Sequence, residues 1–115
     1  MKAIKINNKD YVIKFTAGVI KELNVKGITL MQLINDLQEM KVDNMYTTFA
    51  AGLKSMQRDI DEAKALEILD DYFSESDDND LETLFITLIE ELSSAMGLRK
   101  KFKTVIEDIK KTVQE

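Results

Sequence analysis

The chain contains no cysteine, no histidine and no proline, and only four glycines among 115 residues. Without cysteine there is neither a disulfide nor a thiolate metal site. Without histidine the usual general base at neutral pH and the commonest zinc ligand are both missing. A chain free of proline suits long helices with few rigid turns. Four scattered glycines cannot build a glycine-rich phosphate loop. No apolar run approaches the length that spans a bilayer, and no signal-peptide pattern opens the sequence. A serine or threonine nucleophile would need lysine as its base, and no Ser-x-x-Lys occurs. The residues point away from an enzyme, and no cofactor or metal is expected.

What is present is a mixture typical of globular chains, 44% hydrophobic and 32% charged, long enough for one domain (1–115) with a modest core. The net charge of −5 is unevenly spread: residues 1–27 carry +4, residues 28–97 carry −12, and residues 98–115 carry +3. The acidic middle argues against nucleic-acid binding by most of the surface. The basic ends are better matched to that acidic middle, in the same chain or in a neighbouring copy.

Residues 3–15 read AIKINNKDYVIKF. Ile4 and Ile6 alternate with Lys5, and Tyr11, Ile13 and Phe15 alternate with Val12 and Lys14, which is the period of a strand. Asn7, Asn8, Lys9 and Asp10 form the turn of a β-hairpin over residues 1–15. A lone hairpin is marginal in water, so it must lay a face on helices or add its edge to another strand.

Residues 16–97 read as a helical core. Thr16 caps a short helix from Ala17 carrying Val19, Ile20 and Leu23, and Gly27 ends it. Thr29 caps a second helix through Met40, with Leu30, Leu33, Ile34 and Leu37 on one face. Asp43 or Asn44 caps a third, with Met45, Tyr46, Phe49, Ala50, Leu53 and Met56 apolar, and Gly52 inside it for close helix packing. A fourth runs from Asp59 to Phe73, capped by Asp59 or Asp61, with Ala65, Leu66, Leu69, Tyr72 and Phe73 buried. After the acidic loop SESDDND, the stretch Asn79–Met96 is the most sustained apolar stripe: Leu81, Leu84, Phe85, Leu88, Ile89, Leu92, Ala95 and Met96. Asn79 and Glu82 form its capping box, Gly97 ends it, and the other elements are expected to pack around it.

Residues 98–115 predict a basic amphipathic helix, peripheral to the core, with Leu98, Phe102, Val105, Ile106, Ile109 and Val113 on one stripe. Arg99, Lys100, Lys101 and Lys103 crowd its first turns, where the helix dipole disfavours cations. Such a stretch can meet an acidic partner; Glu107, Asp108 and Glu115 interrupt it, which argues against a membrane. The acidic residues Asp70, Asp71, Glu75, Asp77, Asp78, Asp80 and Glu82 supply no calcium-loop glycine and read as a solvated loop. The expected fold is α+β, predominantly helical: an N-terminal β-hairpin packed on a compact bundle of about five to six helices.

The order of these elements, with "FAAGL" at Phe49–Leu53 and "DLETLF" at Asp80–Phe85, resembles the tail assembly chaperones of long-tailed phages and prophages of Gram-positive bacteria. The resemblance covers nearly the whole chain and departs at the compact loop before the third helix and in the basic tail. It implies a non-enzymatic protein of the host cytoplasm that binds the tape-measure protein, keeps it soluble, helps tail-tube protein polymerise, and is absent from the mature virion. In many such phages a frameshifted extension recruits the tube protein. The expected partner and self-assembly surface is Tyr11, Ile13 and Phe15 on the hairpin with Arg99, Lys100, Lys101, Phe102 and Lys103 on the last helix. The rival reading is an acidic regulatory or inhibitory binding protein, an adaptor or DNA mimic of a mobile element.

Overall fold

Asn7 and Asn8 both take positive φ (52° and 61°), the requirement of a two-residue type I′ turn whose twist matches that of the strands it joins. The structure is a computed structural model that describes residues 1–114, with side chains as far as Lys111. The turn joins β1 (Lys2–Ile6) to an antiparallel β2 (Lys9–Ile13), with Ile4 opposite Tyr11 and Ala3 opposite Val12. Lys9 and Asp10 therefore belong to the strand and not to the turn. A two-residue turn is enough because asparagine tolerates the left-handed region. Ile6, Tyr11 and Ile13 lie on one face of the hairpin and are buried; Ile4 is half-buried.

Six helices follow among the described residues: α1 (Ala17–Val25), α2 (Leu30–Glu39), α3 (Asp43–Lys54), α4 (Glu62–Glu75), α5 (Leu81–Ala95) and α6 (Arg99–Gln114). The hairpin and bundle give an α+β, mostly helical fold. Thr16 accepts from the Val19 N–H at 3.2 Å and Thr29 from the Gln32 N–H at 3.1 Å, the caps expected of both. Asp61 caps α4 through the Lys64 N–H at 2.8 Å. Two caps differ from expectation. Neither Asp43 nor Asn44 caps α3, which begins after Val42 with no side-chain bond. Asp80 caps α5 through the Thr83 N–H at 2.7 Å, while Asn79 instead donates to the Tyr72 carbonyl at 2.9 Å and so closes α4. An acid beside an amide wins the N-cap because it also answers the positive end of the helix dipole.

α5 is buried along Leu84, Phe85, Leu88, Ile89 and Leu92, each contributing roughly 1.5–3 kcal/mol. It packs on α2, α3 and α6. The most connected element is nonetheless α3, which touches β2, α1, α2, α4 and α5. Its small residues explain this. A Cβ on Gly52 would lie 2.9 Å from Ile13 Cγ2 and 3.0 Å from the Phe15 ring, and the Gly52 carbonyl accepts from the Lys14 N–H at 3.1 Å. The glycine does serve close packing, against the hairpin and not against a helix. Two stripes also shift: Ile68 is buried in α4 where Leu66 is exposed, and Ala95 and Met96 are exposed where Ser93 is buried. Burial pushes the Tyr72 phenol above its ordinary value of 10.0, with a smaller push from the Asp80 carboxylate. The radius of gyration, 13.4 Å, equals that of a single close-packed body of this length.

Candidate interaction surface

The hairpin side chains expected to meet a partner are core. Tyr11, Ile13 and Phe15 are 8%, 0% and 5% exposed, so no partner reaches them in this fold. The backbone edge they sit on is also occupied. Antiparallel pairing around a two-residue turn leaves alternate residues with their N–H and C=O pointing away from the partner strand. On β2 the outward residues are Asp10 and Val12, and the edge is filled at Val12. Gln57 Oε1 accepts from the Val12 N–H at 2.7 Å, and Gln57 Nε2 donates to the Val12 carbonyl at 3.0 Å. Beyond it, the Lys14 N–H donates to Gly52, and Ser55 Oγ donates to the Lys14 carbonyl at 2.6 Å. From Val12 to Lys14 the edge is thus sealed against strand addition by side chains and backbone from the end of α3 and the turn after it.

The last helix behaves differently. Arg99, Lys100, Lys101 and Lys103 are all exposed, while Phe102 is half-buried against the core. Ile106 is buried and Ile109 half-buried on α5, and Val105 is exposed; Val113 lies outside the described side chains. Lys110 Nζ sits 2.6 Å from Glu90 Oε1, so the basic tail meets the acidic middle within the chain. That pair is more than a third exposed on both sides and contributes only about 0–1 kcal/mol. The chain terminus adds a second contact of the same sense, with the Met1 amine donating to Glu91 at 2.8 Å. These charges border an open cleft of about 660 Å³ that includes Arg99, Lys100 and Lys103.

A second, more apolar groove of about 490 Å³ runs between α2 and α6. Ile34, Leu37, Met40, Val105 and Ile109 line it, with Gln38, Glu82 and Asp108 at its margins. Met40 and Val105 are exposed there. Met40 itself ends α2 in the left-handed conformation, φ 57°, which turns the chain so that its side chain faces the groove rather than continuing the helix. Outside the groove Met31, Met56 and Met96 are also exposed, so with Met40 four methionines lie 38–54% open to solvent; Met45 alone of the internal methionines is core. The alternation of the sequence placed the partner surface on the hairpin; nothing in it brings α2 beside α6, so the groove was not legible there.

One buried polar group was also missed. Asp36, fully buried, accepts from Gln32 Nε2 at 2.8 Å and from Asn44 Nδ2 at 2.9 Å, and its own carbonyl accepts from the Lys41 N–H. The signal was present: Asp36 lies within the Leu33–Met40 stripe, four residues after an amide. Its donors tie α2 to α3, which is a structural duty. Among the described residues no group of three or more acids lies close enough to hold a metal ion, and no helix is long and apolar enough to cross a membrane. No protein-family model, no curated protein and no solved structure matches the chain.

Proposed function

We propose that this chain is a non-enzymatic tail assembly chaperone of a long-tailed phage or prophage. It binds a tape-measure protein in the bacterial host cytoplasm, keeps it soluble while tail-tube protein polymerises around it, and leaves before the virion is complete. The tube protein itself is met directly or through a frameshifted longer form. The observation that carries this reading is the apolar groove between α2 and α6, with Met40 exposed in it and Met31, Met56 and Met96 exposed elsewhere on the surface. A holder of long helical chains needs adhesive surface that many sequences can fit, and methionine is flexible and polarizable enough to supply it. An amphipathic helix laid in a groove is the recognition mode that such a surface serves. The likeness to the chaperone family supports the same reading. Its "FAAGL" segment is the part of α3 on which the hairpin rests, and its "DLETLF" segment is the capped start of α5.

The test is co-expression with a helical tape-measure fragment. The fragment should move from the insoluble to the soluble fraction and co-purify with this chain. A fragment that stays insoluble, beside soluble chaperone, sinks the reading. The second reading, an acidic binding protein, is favoured by one feature: Asp59, Asp61, Glu62, Glu67, Asp70, Asp71, Asp77 and Asp78 are all exposed. It predicts salt-sensitive capture of a basic DNA-binding protein and no effect on tape-measure solubility.

A further inference from the structure

The two edges of the hairpin are treated unequally. Every outward backbone group of β2 from Val12 to Lys14 is hydrogen-bonded within the chain. On β1 the outward residues are Ala3 and Lys5, which face Val12 and Asp10 across the ladder. Both are exposed, and no described group bonds their outward N–H or C=O. An unpaired strand edge is a template for another strand.

The strand that fits it best is β1 itself. Antiparallel pairing of two β1 edges about a two-fold axis at Ile4 puts Ala3 of each copy opposite Lys5 of the other. All four outward N–H and C=O groups on each copy then pair, giving four hydrogen bonds between copies. No lysine faces a lysine in this register, because Lys2 falls opposite Ile6. The outer face reads Asp10, Lys5, Ala3, Val12 across the four strands, so each Lys5 keeps its Asp10 neighbour and adds an apolar one. The inner row reads Tyr11, Ile4, Ile4, Tyr11, which covers the half-buried Ile4 of each copy. Shifting the register by two residues one way places Lys5 opposite Lys5; shifting it the other way puts Lys5 opposite Met1, whose amine is held by Glu91, and Ile4 opposite Lys2, so the Ile4 pair is lost either way.

We propose that this protein forms a two-fold dimer by β1–β1 pairing about Ile4, making one four-stranded sheet from two hairpins. The pairing is isologous, so it closes at two copies. It stands apart from the chaperone reading, since a protein of either class could associate in this way, and a monomer would leave that reading untouched.

Sedimentation velocity of the full chain, from low micromolar concentration up to about 1 mM, tests it. The mass should rise from 13.2 kDa toward twice that value. Lys5→Pro removes an outward N–H without touching the internal ladder, and should weaken dimerisation about tenfold or more. Hydrogen exchange on the unaltered protein supplies an independent reading should the proline variant misfold. Protection of the Ala3 and Lys5 amides should rise with concentration, while that of Val12 stays constant. A monomer at every concentration overturns the proposal. So does a dimer that survives Lys5→Pro in a folded variant, or one in which the Ala3 and Lys5 amides exchange freely.

Discussion

The Gln57 side-chain amide stands to Val12 as a third strand would, accepting from its N–H at 2.7 Å and donating to its carbonyl at 3.0 Å. The same Nε2 also donates to the Leu53 carbonyl, so one side chain closes both the strand and the end of α3. Gln57→Ala leaves a half-buried peptide group unpaired on β2. A cost of about 1–3 kcal/mol is expected in urea unfolding. Gln57→Glu keeps the acceptor and loses the donor, and should fall between the two. An alanine variant as stable as the parent would show that Val12 finds water instead.

Gly52→Ala is expected to destabilise, although alanine is the better helix former by about 1 kcal/mol. The added methyl would sit 2.9–3.0 Å from Ile13 and Phe15, in a core with no slack. Overpacking of this kind typically costs about 1–3 kcal/mol. The decisive comparison is Gly52→Ala with Phe15→Leu, which should recover part of the loss seen in Gly52→Ala alone. Additive costs would place the strain elsewhere.

Removing the Asp36 carboxylate should be costly in a similar way. Asp36→Ala strands the Gln32 and Asn44 amides in a buried site and should lower stability by about 1–3 kcal/mol. Asp36→Asn turns a donor toward at least one donor and should recover little. Adding Gln32→Leu and Asn44→Leu to Asp36→Leu removes every partner at once, and should cost less than Asp36→Ala alone, because no polar group is left unpaired.

Tyr72 carries a pH dependence of known sign. Its phenol holds its proton more tightly in the folded chain than at the ordinary value of 10.0. Its stabilising contribution is therefore complete below that pH. Above it the unfolded chain loses the proton while the folded chain keeps it, so stability declines with rising pH until the folded phenol also ionises. Ultraviolet titration should show the Tyr72 tyrosinate appearing above the ordinary value, and Tyr72→Phe should flatten the alkaline decline in Tm. A variant with the same decline would assign it to other groups.

If the groove between α2 and α6 holds the tape-measure helix, Met40→Lys and Val105→Glu should abolish solubilisation of the fragment. Both side chains are exposed, so Tm should move little. Loss of binding together with loss of folding would carry no information about the groove, and the pair of readouts separates the two.

Much of the architecture could be read from residue spacing. Period-two alternation gave the hairpin, and the three-and-four recurrence of leucine and isoleucine gave all six helices, with Thr16, Thr29 and Asp61 marking three starts. What failed were choices between adjacent residues of similar chemistry. Asn79 and Asp80 can both cap; the charge of Asp80 favours it at the helix start, and the Tyr72 carbonyl takes the Asn79 amide. Leu66 and Ile68 flank the same stripe, and the packing of α4 buries Ile68 and leaves Leu66 exposed. The candidate surface was less legible still. Strand alternation says which side chains share a face but not whether that face meets solvent or core; Tyr11, Ile13 and Phe15 are held inside by α3, which begins about thirty residues later in the chain.

The central place of α3 also has a consequence for synthesis. The hairpin and α1 can close as they leave the ribosome, and α3 can lie against them. Its remaining flank waits for α4 and α5, about forty residues further on, a delay of roughly 2–8 s at ordinary translation speeds. Through that interval the α3 flank that α4 and α5 will cover stays open on a nascent chain, and the window for misassociation is set by the rate of elongation.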